Sequence, residues 1–520
     1  MIPFTAPSED ILFSLREVAD ANSITDWDDD LASDIIQAFA SFAQDVIAPL
    51  DEIGDRDGCR LEDGCVRMPG GFTQAYSQMA EMGWQGLTAP QQFGGMAQNT
   101  LIDAAVSEIF SGANHAMQML CNLVPGAITT LLRYGSREQQ REWIPKLASG
   151  EALSTMCLTE AGAGSDLSQI RTKAVMDNDG WRIHGEKIFI SGGDQDMSDD
   201  ILHLILARTQ NDPGTINGLS LFIASKKASK SNIQITRIEE KMGLHASPTC
   251  QMSFDGTSAE LIGEQGQGLR AMFTMMNHAR LDVALQGVAH ASRAFKIAHS
   301  YAMERKQGRN PDGGDARLAD HADVKRMLNE QRALMMGARA MAHAALVKSQ
   351  NENNAVLVDF LTPICKVFCT QAGIRAADLG IQILGGYGYL NEYRINQTWR
   401  DARITAIYEG ANGIHELSTV TRGVLHHDGV GADAFYGFIG EITDHPAVLA
   451  LRELWCKQRV RVENAANPSE FAHEFAQLSG ELFYRAVWVK IARKKDEVQF
   501  DALLKFVLSQ PLPLSLDLDN

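Results

Sequence analysis

The sequence is short of cysteine, proline and positive charge. Eight cysteines are spread over 520 residues, at positions 59, 65, 121, 157, 250, 365, 369 and 456, too thinly for a disulfide framework in a chain of this length. Cys365 and Cys369 stand at i,i+4 and share a helical face. No histidine or second cysteine pair adjoins them to complete a zinc site, so no metal is expected and both read as buried structural thiols. Lys and Arg number 47 against 65 Asp and Glu, a formal net charge of −18. That balance opposes bulk attraction to phosphate backbones and leaves nucleic acid an unexpected partner, although a local site for an anionic cofactor stays open. No run approaches the roughly 18 unbroken apolar residues of a membrane-spanning helix. The opening residues MIPFTAPSEDILFSL are acidic where a secretory signal is basic. The expectation is a cytoplasmic protein with no membrane span.

What is present looks like an ordinary globular composition, 45% hydrophobic and 22% charged. At roughly 100–200 residues per domain, the length suggests three or four packing units. From about Leu31 to Leu147 apolar residues recur at three- and four-residue spacing, as in LASDIIQAFASFAQDVIAPL, which predicts an all-helical first region. Between about Ala152 and Ile262 the pattern changes to short alternating or β-branched stretches, GWRIHGEKIFISGG, DILHLILART, GLSLFIAS, IQITRI and CQMSFDG, which predict a small sheet or barrel. Helical periodicity returns at Gly268 in a stretch long enough to belong to a bundle. It breaks at HHDGVGAD and resumes to the end, where residues 451–520 hold ten Lys/Arg and ten Asp/Glu and so do not form a basic module. The fold class expected is α+β, mostly α. Its expected parts are an N-terminal helical domain over 1–151, a middle β domain over 152–262, a helical bundle over 263–427 and an appended helical domain over 428–520.

The segment MCLTEAGAGSDLSQIRTKA is followed in order by GEKIFISGG, AMERKQGR and QILGGYGYLNEYRINQTWRDARITAIYEGANGIHEL. Taken singly these are weak signals. GAGSD reads equally as a turn after a helix, EKIFISGG as a strand with Phe189 in a core, Arg305 as an exposed arginine, GGYG as a helix end, and Glu409 as a glutamate near a helix start. In this order and spacing, over about residues 30 to 425, they resemble the acyl-CoA dehydrogenase family. The residues before the usual start, the ERKQGR string and the appended region resemble its larger bacterial subgroup, which includes 3-methylmercaptopropionyl-CoA dehydrogenases and broad-range fatty acyl-CoA dehydrogenases.

The resemblance implies FAD-dependent α,β-dehydrogenation of an acyl-CoA thioester, with Glu409 as the base that takes the α-proton. A minority of relatives carry the base at the position of Ala279, which has no side chain able to act. It places Leu158, Thr159, Gly164, Ser165, Phe189 and Ser191 at the flavin, and Arg305 and Gln307 at the FAD pyrophosphate and nearby. Gln382 and Gly386 fall where a second subunit reaches the adenosine half, implying a homodimer or dimer of dimers. Ala411 stands where many relatives have threonine, and Asn412 is the candidate to replace that contact. Ser165, Met276, Asn277, Arg280, Tyr408 and Gly410 are implied at the substrate, although the Met-rich run MFTMMNH alone reads as core filling. Electron-transfer flavoprotein is the implied acceptor and 3-methylmercaptopropionyl-CoA or a related short or medium acyl-CoA the implied substrate. Two competing readings are an acyl-CoA oxidase, sharing fold and base, and a non-catalytic DNA-binding flavoprotein.

Overall fold

The computed structural model describes residues 2–209, 214–495 and 497–512, with Asn277 and His278 described by backbone alone. The described chain folds as two compact units, Ser41–Ala279 and Met1–Ala40 with Arg280–Asn520.

In the first unit, helices Thr100–Cys121, Leu123–Tyr134 and Arg137–Ser149 begin as local chemistry dictates. Asn99 caps the first through Leu101 N–H, and Ser136 and Gln139 close a capping box on the third. A two-strand hairpin, Arg60–Glu62 with Cys65–Arg67, interrupts the helical region. Its turn residues Asp63 and Gly64 both have positive φ, the conformation a two-residue hairpin loop requires and one that Asp-Gly favours.

The middle segment is a seven-stranded sheet. Strand Asp200–Arg208 pairs with Lys173–Asp177 and with Leu219–Ser225. Those lead through Gly180–Ser191 and Thr249–Ile262 back to one another, so these five strands close into a ring. Ile183, Ile205, Phe222, Met252 and Phe254 pack together in its core. Every residue of Asp200–Arg208 is buried, which is why its run ILHLILA is apolar except for His203 rather than alternating. The GAGSD loop follows strand Ala152–Cys157, not a helix. That strand, ALSTMC, is short, almost wholly buried against its parallel neighbour and without alternation, so periodicity alone does not reveal it.

In the second unit helix Ala355–Leu384 is central, packing against Ala322–Ser349, Ile395–Arg403, Asn412–Ser418, Val430–Ile442 and Ala472–Lys495. By length and composition the stretch Glu352–Tyr389 could cross a membrane, but 61% of its most apolar window is buried inside the fold, as in a core helix. Cys365 and Cys369 donate to the carbonyls of Met341 and Ala338 on the neighbouring helix. Residues 2–40 were expected with the first helical region, yet they cluster here. Ser14 Oγ hydrogen-bonds His343 Nδ1 at 2.9 Å, and Glu17 and Asp20 pair with Lys494 and Lys490. The C-terminal helices thus fold around the first twenty or so residues, a long-range contact that a sequence pattern does not encode.

Candidate active site

Glu409 lies in a tight turn between the single-turn helix Ile404–Ala406 and the helix Asn412–Ser418. Both Glu409, at φ 52°, and Gly410, at φ 94°, adopt the left-handed conformation, which is unfavourable for a side-chain-bearing residue and persists only where tertiary contacts impose it. The glycine has a local cause, since a Cβ there would sit 2.8 Å from His415 Nε2. His415 is buried, and its Nε2–H donates to the Glu409 carbonyl at 3.0 Å. Burial, then the charges of Lys366 and Arg280, push its pKa down to about 4, so it is a neutral ring at neutral pH.

The second grip on the turn comes from Lys366, fully buried on helix Ala355–Leu384. Its Nζ donates to Gly410 O at 2.8 Å and Asn412 Oδ1 at 2.9 Å. Asn412 in turn donates from Nδ2 to Thr370 Oγ1 at 3.1 Å, and Thr370 donates to Lys366 O. Asn412, expected to reach the cofactor in place of a hydroxyl missing at Ala411, instead has both ends of its amide engaged inside this unit. Its side chain points at a buried ammonium because that charge needs acceptors.

These surroundings set the charge of Glu409. Desolvation pushes its carboxyl up to about 7; Arg280 and then Lys366 oppose the shift, and Asp282 adds to it. Within its own unit no described residue donates a hydrogen bond to this carboxyl. Desolvation also brings Lys366 down to about 7 against the pull of Glu409, and it lowers Arg280. Tyr408 is half-buried, with its hydroxyl bonded to Gln286 Oε1, and Gln286 donates to Asp282 at 2.8 Å. A half-ionised, donor-poor carboxylate on an anchored turn is suited to taking a proton.

Elsewhere in this unit Arg305 is exposed, its guanidinium 5.6 Å from the centre of the Tyr387 ring in the GGYG turn, and Gln382 and Gly386 are exposed beside that turn in sequence. Gln307 accepts from His321 at its backbone carbonyl and leaves its side chain exposed. An exposed guanidinium with no carboxylate partner among the described residues fits a phosphate group.

In the barrel unit, Leu158 is buried, Thr159 half-buried and Gly164 and Ser165 exposed. Buried Lys187 anchors their loop by donating to Leu158 O at 2.9 Å and Glu160 Oε1 at 2.8 Å, while Glu160 accepts from the N–H groups of Arg171 and Thr172. The strand then bulges between Lys187 and Ile190. Ile188 N–H donates to Thr159 O, tying bulge to loop. Phe189 therefore is not a core residue; at φ 57° it stands 61% exposed, and Ser191 follows half-buried. An outward-facing aromatic held in a strained backbone, beside hydroxyls and a loop of small residues, fits a planar ring system with a polar rim. Met276 is buried, and the side chain of Asn277 lies outside the described residues. Sequence reasoning overlooked Lys366, His415, Glu160 and Lys187. Lys366 had a visible signal, being the sole charged residue between Asp359 and Arg375.

Three family models match the chain in order: the acyl-CoA dehydrogenase N-terminal domain over residues 30–151, the middle domain over 155–257 and the C-terminal domain over 266–425. The chain is 39% identical to the 3-methylmercaptopropionyl-CoA dehydrogenase of Ruegeria pomeroyi, over 83% of this chain and 78% of that one. It is 31% identical to the broad-specificity linear acyl-CoA dehydrogenase FadE5 of Mycobacterium tuberculosis, over 84% and 78%. In fold it is similar to Caenorhabditis elegans ACDH-11 in complex with C11-CoA, at a TM-score of 0.80, 20% identity and coverage of 98% and 92%. It is also similar to a Bacillus anthracis acyl-CoA dehydrogenase complexed with FAD, at a TM-score of 0.77, 20% identity and coverage of 95% and 89%. The chain belongs to the acyl-CoA dehydrogenase family, flavoproteins that use FAD to oxidise acyl-CoA thioesters.

Proposed function

We propose that Glu409 is the base of this acyl-CoA dehydrogenase and removes the α-proton of the thioester. The observation that carries the reading is a half-buried carboxyl on a turn anchored by Lys366 and His415, which desolvation pushes up to about 7 while Arg280 and Lys366 restrain it. Ionised, it takes the proton onto a carboxylate oxygen; protonated, it cannot. The rate of proton removal is therefore expected to rise with pH through about 7. FAD, when bound, supplies the acceptor for the β-hydrogen. Leu158, Thr159, Gly164, Ser165, Phe189 and Ser191 are the residues proposed to hold it from the barrel unit, with Arg305 and Gln307, and Gln382 and Gly386 of a second copy, from the other. Ser165, Met276, Asn277, Arg280, Tyr408 and Gly410 are proposed to meet the substrate, Arg280 also restraining the base's pKa.

The substrate proposed is 3-methylmercaptopropionyl-CoA or a related short or medium acyl-CoA, supported by the identity to the Ruegeria enzyme. Electron-transfer flavoprotein is the proposed acceptor, a homodimer or dimer of dimers the proposed assembly, and the cytoplasm the proposed location. Glu409→Gln protein is expected to stay yellow and bind acyl-CoA, yet bleach at least about 10²–10⁴-fold more slowly on mixing, the usual loss when a general base is removed. Bleaching at the normal rate refutes the assignment. A panel of acyl-CoAs read by the same bleaching ranks the substrates.

A further inference from the structure

Lys366 occupies a position that burial alone does not justify. The run Phe360–Ile374 is otherwise uncharged and forms the middle of a core helix, and an ammonium there gives up its hydration. It recovers hydrogen bonds only by reaching the turn that carries Glu409. Of its three N–H groups, one meets Gly410 O at 2.8 Å and another Asn412 Oδ1 at 2.9 Å. Gly410 O belongs to the peptide that leaves the strained pair and Asn412 opens the next helix, so this side chain holds the C-terminal side of the turn while His415 holds the Glu409 carbonyl. One helical turn on, Thr370 fixes the Asn412 amide so that its oxygen faces the ammonium.

A neutral donor would satisfy the same two acceptors. What it would not supply is the positive charge that Lys366 carries while protonated, below its own midpoint of about 7, near a carboxyl to which no described residue of this unit donates a hydrogen bond. Arg280 also acts on that carboxyl, and Asp282 opposes both cations. His415, packed against the turn from the helix that follows, is neutral and contributes no charge. Among the described residues, Arg422 and Asp359 act on Arg280, and Asp401 acts on Tyr408 beside the base.

We propose that Lys366 is the positioning residue of the proton-abstracting turn: its ammonium clamps Gly410 O and Asn412 Oδ1 and so fixes both the place of the Glu409 carboxyl and the pH at which it ionises. This rests on Glu409 being the base. The clamp is made by the helix, not by the substrate, so the turn is set before any ligand arrives.

The test uses full-length protein loaded with FAD. Bleaching by butyryl-CoA is followed by stopped flow between pH 5.5 and 9.5, and the carboxyl of Glu409 is titrated without substrate by infrared difference spectroscopy against Glu409→Gln. Lys366→Met is expected to move both midpoints up by about one pH unit or more, so that bleaching at pH 7 falls about tenfold, each unit being a tenfold change in the ionised fraction. Lys366→Arg keeps the charge and misplaces the donors. It is expected to hold the midpoint within about half a unit while slowing bleaching at every pH. Should Lys366→Met not fold, Lys366→Gln keeps a donor for Gly410 O and carries the same expected midpoint shift. Unmoved midpoints in the uncharged variants, with Glu409→Gln inactive, overturn the proposal and leave the base assignment standing. Normal bleaching by Glu409→Gln overturns both.

Discussion

Each compact unit of this chain sets a glutamate near a buried lysine, and the two carboxyls are pushed in opposite directions. In the barrel, Glu160 touches Lys187 at 2.8 Å and accepts two backbone N–H groups. Burial pushes its carboxyl up, but the ammonium and those hydrogen bonds outweigh that push and hold it below the usual carboxylate range. In the helical unit, Lys366 acts on Glu409 through space while its N–H groups go to a carbonyl and an amide. Desolvation then prevails, and Glu409 stands near 7. The same two residue types give a carboxylate held below its usual range in one place and a titrating base in the other. The difference lies in hydrogen bonds received by the carboxylate, since a nearby charge in both cases fails to cancel desolvation alone.

The largest way to break this contrast is Lys187→Met, which leaves Glu160 buried without its cation. An expected loss of about 3–5 kcal/mol of stability, read by denaturant unfolding at pH 7, follows from stranding a buried charge. A loss under about 1 kcal/mol would mean the pair is not the staple described. Next comes Glu409→Gln, now read for stability. A carboxyl raised from 4.5 to about 7 favours the folded state less and less as pH climbs through that window, with the full cost present above 7. Removing it should leave stability near wild type at pH 4.5 and raise it by about 1–3 kcal/mol at pH 7.5. The smallest effect belongs to the bulge two residues past Lys187. Phe189→Gly relieves a left-handed phenyl residue that is mostly exposed and should stabilise the apoprotein by about 1 kcal/mol or less, while weakening FAD retention on gel filtration.

Much of the architecture was legible because period is a local property. The helical region before residue 150, the five named strands and the long helix from Gly268 all formed where spacing put them. Strand Ala152–Cys157 and the hairpin at Asp63-Gly64 escaped notice, the first because a run buried on both faces lacks alternation, the second because three-residue strands carry little pattern. Of the site, Glu409 and its flanking Gly410 were visible as a motif. Lys366 stands 43 positions away on another helix, and nothing in the spacing of a lone lysine tells which carbonyl it will reach.

The order of helices, strands and helices, the absence of a disulfide framework, the acidic balance and the motif string that marks the family were all written in the residues themselves, because each depends on neighbours close in the chain or on simple counts. The charge of Glu409, the outward turn of Phe189, the redirected amide of Asn412 and the docking of the first residues among the last helices were decided by tertiary structure. Desolvation and hydrogen-bond geometry arise only when distant segments meet, and they choose between identical side chains according to what surrounds them.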